Sequence, residues 1–202
     1  MEKYTKVSSK DAFTLIELAI VITIIGLFYA TLFPALKLYL YNTKIDSTKK
    51  ELKAIKQNLI SYASIYGKLP PSTPLDSLEQ LPYIDLNVKQ KDIFGIPYYY
   101  DVADALVTSD DTNICKVLSS YSNKVDLPMV EEDNGSIKYS VVAVIISSGI
   151  DKKLQDNNSD LNRVYSSITN SYSSTKDDLI EELTYFELLN SICVLNDFNH
   201  TR

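Results

Sequence analysis

Between Leu18 and Leu36 the chain carries no charged side chain. A run of about 20 apolar residues at helical rise matches the hydrocarbon thickness of a bilayer. The run therefore predicts a membrane-spanning helix, and the remaining residues must be arranged around it. Lys3, Lys6 and Lys10 precede it against Glu2 and Asp11, a slight cationic excess that favours a cytoplasmic N-terminus and export of the residues beyond the span. A secretory signal has a shorter apolar core with a small-residue cleavage site behind it. Here helix-compatible sequence continues past Pro34 through Lys37, so no cut behind the apolar core is expected.

Past the span, Ile45, Thr48, Leu52, Ile55, Leu59, Tyr62 and Tyr66 recur in steps of three and four, which puts them on one helical face. Lys49, Lys50, Glu51, Lys53 and Lys56 occupy the rest. Gly67, with Pro70 and Pro71 close behind, supplies the stop signal, so the predicted helix runs from about Phe13 to about Tyr66. A short helix is expected near Pro74 to Leu81. The glycine turn in Asp92 to Tyr100 leads into an aromatic strand, and Ile137 to Ser148 reads as a buried central strand rich in β-branched residues. Gln155 to Asn162 and Ser166 to Thr175 read as polar surface loop. Thr175-Lys176-Asp177-Asp178 offers an N-cap with acids in the first turn of a closing helix, its apolar face formed by Leu179, Leu183, Phe186 and Leu189.

Composition excludes several classes of function. The formal net charge is -6 over 202 residues, and no basic patch exists to contact phosphates, so nucleic acid is not an expected partner. His200 is the only histidine, which leaves no His-based triad or His-rich zinc site. The five glycines form no phosphate-binding loop. The acid pairs Asp110-Asp111 and Asp177-Asp178 read as caps and solvated turns, and no enzymatic activity is expected. Cys115 and Cys193 both lie beyond the apolar run, where an exported domain meets an oxidising compartment. Spacing alone leaves two readings open, a disulfide or a pair of unpaired core thiols. A bridge closing so long a loop would contribute about 4 kcal/mol in the chain-entropy model.

Glu17 stands at the start of the apolar run, where an ionised carboxylate facing lipid is costly unless partnered. With its neighbours, Ala12-Phe13-Thr14-Leu15-Ile16-Glu17-Leu18 resembles the cleavage and methylation motif of type IV (class III) prepilins. The resemblance implies a leader of residues 1–12, cut by a prepilin peptidase between Ala12 and Phe13, and N-methylation of Phe13. Ala12 departs from the family, which overwhelmingly has glycine there. Glu17 falls on the family's glutamate, whose implied role is to pair with the amine of a newly added Phe13 on a neighbouring subunit. Pro34 falls where the family places its helix-kinking proline.

The implied architecture is α+β: a pilin-like fold whose long N-terminal helix, first half transmembrane, packs on a small antiparallel sheet, with an extra C-terminal helix. Its parts would be the transmembrane helix 13–40, the amphipathic helix 41–67 and an extracytoplasmic head 68–202. The Asp-aromatic-Gly-Pro-Tyr block, the strand ending Ser148-Gly149-Ile150-Asp151 and the later Asp177-Asp178 resemble, in order, the major pseudopilin of type II secretion. A helix after Asp178 longer than the one that pseudopilin has points equally to a type IV minor pilin for adhesion, motility or DNA uptake. The pseudopilin loop after the Ser-Gly-x-Asp strand binds calcium. Asp151, Asp156, Asp160 and Asp177, with Asn157 and Asn158, offer oxygen donors of the same type, although such clusters also serve as turn formers. The resemblance implies a single-pass protein of a bacterial inner membrane, its head in the periplasm or on the cell surface. Its implied partners are the peptidase, like and related pilin subunits, an inner-membrane assembly platform and membrane lipid. A reading of another class is a membrane-anchored binding domain that never polymerises.

Overall fold

The structure is a computed structural model that describes residues 14–75, 78–108, 114–120, 127–132, 135–155, 158–159, 162–166 and 177–194. The chain divides into two compact units, with the boundary between Thr43 and Lys44. One helix, α1 (Leu15–Tyr66), contributes to both. In the first unit every described side chain through Leu40 is exposed. The helix continues through Pro34, which has no N–H to give to the carbonyl one turn back. The hydroxyls of Thr23, Thr31 and Thr43 fold back on the carbonyls of Ala19, Leu27 and Tyr39, at 2.8, 3.2 and 2.9 Å, so these polar groups are satisfied within the helix itself.

In the second unit α1 buries Ile45, Thr48, Leu52, Ile55, Leu59 and Ala63. All but Ala63 belong to the face expected from the periodicity; Ala63 joins them while Tyr66 stays exposed. Gly67 ends the helix with φ 70° and donates its N–H to the Ala63 carbonyl at 3.0 Å, the left-handed stop that glycine makes without strain.

Beyond α1 lies a five-stranded antiparallel sheet, built from β1 (Thr73–Leu75), β2 (Leu78–Gln80), β3 (Tyr99–Val102), β6 (Val141–Ser147) and β8 (Leu179–Thr184) in the order β1-β2-β3-β6-β8. A smaller mixed sheet has the order β5-β4-β7, from β4 (Met129–Glu131), β5 (Ile137–Lys138) and β7 (Val164–Ser166), with β4 and β7 parallel. Helices α2 (Ala105–Thr108), α3 (Ile114–Ser120) and α4 (Tyr185–Leu189) and a π turn (Asn190–Val194) complete the unit.

Every residue of β6 is buried, as expected for a strand covered on both faces. Its register identifies the covers. Ile145 pairs with Tyr100 and Glu181; Tyr98, two residues from Tyr100, donates its hydroxyl to Glu51 of α1 at 2.7 Å, and Glu181 pairs with Lys56 of α1. This is the α1 face. On the other face Val144 and Ile146 cluster with Val130 of the small sheet, and Leu154, Tyr165 and Ile180 pack around them.

Three local expectations are corrected. Pro74 and Leu75, and Leu78 to Gln80, lie in the paired strands β1 and β2 rather than in a helix: β1 is the outer strand, where Pro74 costs no ladder hydrogen bond. Ile137 to Ser148 is two strands, β5 and β6, which belong to different sheets. Leu179 to Thr184 is a strand, because the edge of β6 left open by β3 needs a partner and the four-residue spacing of Leu179 and Leu183 suits either period. The C-terminal helix starts later, at Tyr185, where Thr184 and Glu187 form a reciprocal capping box.

Gly149 turns the chain out of β6 with φ 65°, and a Cβ there would collide with the backbone oxygen of Asp177. Gly149→Ala is therefore expected to lower stability by at least about 2 kcal/mol in chemical denaturation. Wild-type stability of that variant would contradict the turn described.

Candidate functional site

At the start of α1, Thr14 and Glu17 bond reciprocally. The Thr14 N–H and hydroxyl donate to Glu17 Oε2 at 2.9 and 2.8 Å, and the Glu17 N–H donates to Thr14 Oγ1 at 3.3 Å. This is a capping box, in which a Thr and a Glu three residues on satisfy helix-start N–H groups that have no partner within the helix. Both Thr14 bonds fall on Oε2, and a carboxylate oxygen has room for further donors, so Oε1 can accept from another chain. The spacing Thr14-x-x-Glu17 signals such a box in the sequence, although the position of Glu17 beside an apolar run points first to a partner outside the chain.

Pro34 lies 17 residues further along α1, about 25 Å at helical rise, so the two do not share one site. Ala12 and Phe13, the expected cleavage and methylation positions, lie outside the described residues. Along this part of α1, Leu15, Leu27, Phe28, Tyr29 and Leu32 are each more than 60% exposed, and Tyr29 stacks on Phe33 with centroids 4.9 Å apart. An apolar surface of this length calls for lipid or other helices around it. The helix is long and apolar enough to cross a membrane.

In the second unit, Cys115 of α3 and Cys193 of the π turn form a disulfide, with Cα atoms 5.6 Å apart. Tyr185 of α4 donates its hydroxyl to the Leu118 carbonyl of α3 at 3.0 Å. Lys56 bridges α1 to Glu181 of β8 and Glu187 of α4. Burial alone would lower the Lys56 amine, but the two carboxylates outweigh it and hold the amine above its ordinary value. Arg163 grips Asp101 of β3 with two N–H groups at 3.0 and 2.8 Å and donates to the Val102 carbonyl at 2.7 Å. Tyr165 adds its hydroxyl to the same Asp101 at 2.8 Å. This cluster, which has no local signature in the sequence, ties β7 to the larger sheet.

Of the four expected calcium ligands, Asp156 and Asp160 lie outside the described residues, whereas Asp151 and Asp177 meet at the side-chain amide of Gln155. Asp177 is buried. Its Oδ2 accepts the N–H groups of Ile150 and Asp151, so it caps the turn after β6 and no helix. Asp178, fully buried, accepts from the Gln155 N–H and from Asn158 Nδ2 on Oδ2, both at 2.9 Å. Among the described residues its Oδ1 has no partner, nor has the buried hydroxyl of Ser148, and the two residues lie one step beyond the Ser147–Leu179 pair. Among the described residues no group of three or more His, Cys, Asp and Glu side chains is arranged to hold a metal ion.

No family model matches the chain, and no curated protein and no solved structure is similar to it at a significant level.

Burial pushes the Asp178 carboxyl up to about 6, and the charges of Asp177 and Asp151 add to this against the bonds from Asn158 and Gln155. A carboxyl whose folded pKa lies above its unfolded value binds more protons when folded, so its contribution is fully present below about pH 4 and is lost as pH rises through 6. Lowering the pH from 7 to 5 should therefore raise the melting temperature, with a contribution on the order of 1 kcal/mol from this group. Asp178→Asn should flatten that rise while keeping an acceptor for the two donors; an unchanged pH profile in the variant would assign the titration elsewhere.

Proposed function

We propose that this chain is a structural subunit of a type IV pilus-like filament, processed by a prepilin peptidase and N-methylated at Phe13. The observation that carries the proposal is the union, in one chain, of an apolar first half of α1 exposed through Leu40, a single carboxylate, Glu17, in its first turn, and a separately folded second unit. Neighbouring apolar helices would replace lipid around α1 on assembly. In the free subunit Thr14 satisfies Glu17 from within. In the filament the same carboxylate would also meet the ammonium of Phe13 on another subunit, where low dielectric strengthens the attraction and geometry fixes the register.

Among filament systems the reading favours a type II secretion pseudopilin working in protein export. The segment after Asp178 is β8, with α4 and the π turn behind it over residues 185–194, and the resemblance of the Asp-aromatic-Gly-Pro-Tyr block and the Ser-Gly-x-Asp strand end is what supports this choice. The protein would be anchored by one pass in a bacterial inner membrane, with the assembly platform and sister subunits as partners.

Mass spectrometry of the mature N-terminus, from cells that carry the cognate peptidase, should find N-methylated Phe13; intact residues 1–12 would favour an uncut anchor. Glu17→Ala should insert into the membrane normally yet fail to enter filaments. Normal assembly of that variant would remove the proposed pairing, and a chain that never assembles in either form would be a membrane-anchored binding domain.

A further inference from the structure

The segment that leaves β6 is held on Gln155, a residue at the start of a stretch expected to be polar surface loop. Its backbone N–H donates to Asp178 Oδ2 at 2.9 Å, and its Nε2 donates to Asp151 Oδ2 at 2.6 Å and to Asp177 Oδ1 at 3.0 Å. Its Oε1 accepts the Asp177 N–H at 2.9 Å. Ile150 and Asp151 add their N–H groups to Asp177 Oδ2 at 2.5 and 3.1 Å, and Asn158 Nδ2 donates to Asp178 Oδ2 at 2.9 Å. One glutamine thus makes four bonds, three of which tie this turn to the residues just ahead of β8.

Calcium requires about six to eight oxygen ligands around it at about 2.3–2.6 Å. A side-chain amide could rotate to present its oxygen instead of its nitrogen. The N–H groups of Ile150, Asp151 and Gln155 cannot, because the backbone fixes them. They point at Asp177 Oδ2 and Asp178 Oδ2, so a cation on those lone pairs would face the positive ends of three N–H dipoles.

We propose that the turn after β6 and the start of β8 are held together without a metal, the primary amide of Gln155 bridging Asp151 and Asp177 where the loops that the sequence resembles are expected to use calcium. Gln155 is a positioning residue. It gives Asp151 Oδ2, Asp177 Oδ1 and Asp178 Oδ2 donors in place of a cation and returns an acceptor to the Asp177 backbone, so that the turn and the start of β8 are fixed together. The head then keeps its fold in calcium-poor surroundings, whichever filament system uses it and whether or not the chain assembles at all.

Thermal unfolding of the full chain in detergent, measured in calcium chloride and in chelator, tests the proposal. The expected wild-type midpoint is the same in both, and Gln155→Ala is expected to lower it by several degrees equally in both. A wild-type midpoint raised by calcium, or a Gln155→Ala chain as stable as wild type, would overturn it. Should Gln155→Ala fail to fold, the wild-type comparison alone still decides.

Discussion

A strand with no face left for water has to be covered twice, and the organisation of the head depends on meeting that demand at β6. One face lies against α1 and the other against the small sheet and the segment around Leu154 and Tyr165. Each cover is fastened by polar groups that must themselves be satisfied. Lys56 reaches Glu181 and Glu187 on the α1 side, and Arg163 holds Asp101 in a two-pronged pair on the other. Partly buried pairs of this kind contribute little beyond their desolvation cost. Their value here is in register, since a one-residue slip of β8 would turn Glu181 away from Lys56 and towards the apolar cluster.

The helix that covers β6 is built for two surroundings, the first half long and apolar enough to cross a membrane. Its second half, from Lys44, has a buried stripe and a charged outer side, whereas its first half is apolar on every side and buried on none. An isolated helix of the second kind is stable in lipid because its backbone groups are bonded internally and its threonine hydroxyls fold back on carbonyls. Glu17 is the exception, and the Thr14 bonds give it a local partner that does not exclude a second. On the filament reading this matters: a subunit can wait in the membrane with its carboxylate satisfied and still offer that carboxylate to an incoming amine.

The sequence is most legible where one physical signal dominates. The uncharged run and the glycine stop mark α1 to within about two residues, and the β-branched run marks β6. It misleads where a local pattern fits two periods. Leu179 and Leu183 recur every four residues, which suits a helix face and one side of a strand alike, and only the open edge of β6 decides between them. Asp177 and Asp178 read as helix-cap acids because the turn they hold lies 26 and 23 residues earlier in the chain. Arg163, Asp101 and Gln155 carry no local mark, since their partners come together only after the sheets form. The capping boxes at Thr14 and Thr184, by contrast, are present in the residue spacing alone.

Filament assembly requires α1 of one copy to lie against α1 of another, and photo-crosslinking in living cells addresses that contact directly. A photoactivatable residue placed at Ile24, in the exposed apolar stretch, should yield a ladder of covalent multimers of this chain when the assembly machinery is present. Adducts with lipid alone, at every position tried along that stretch, would mean that the helix is an anchor and that the chain does not build filaments.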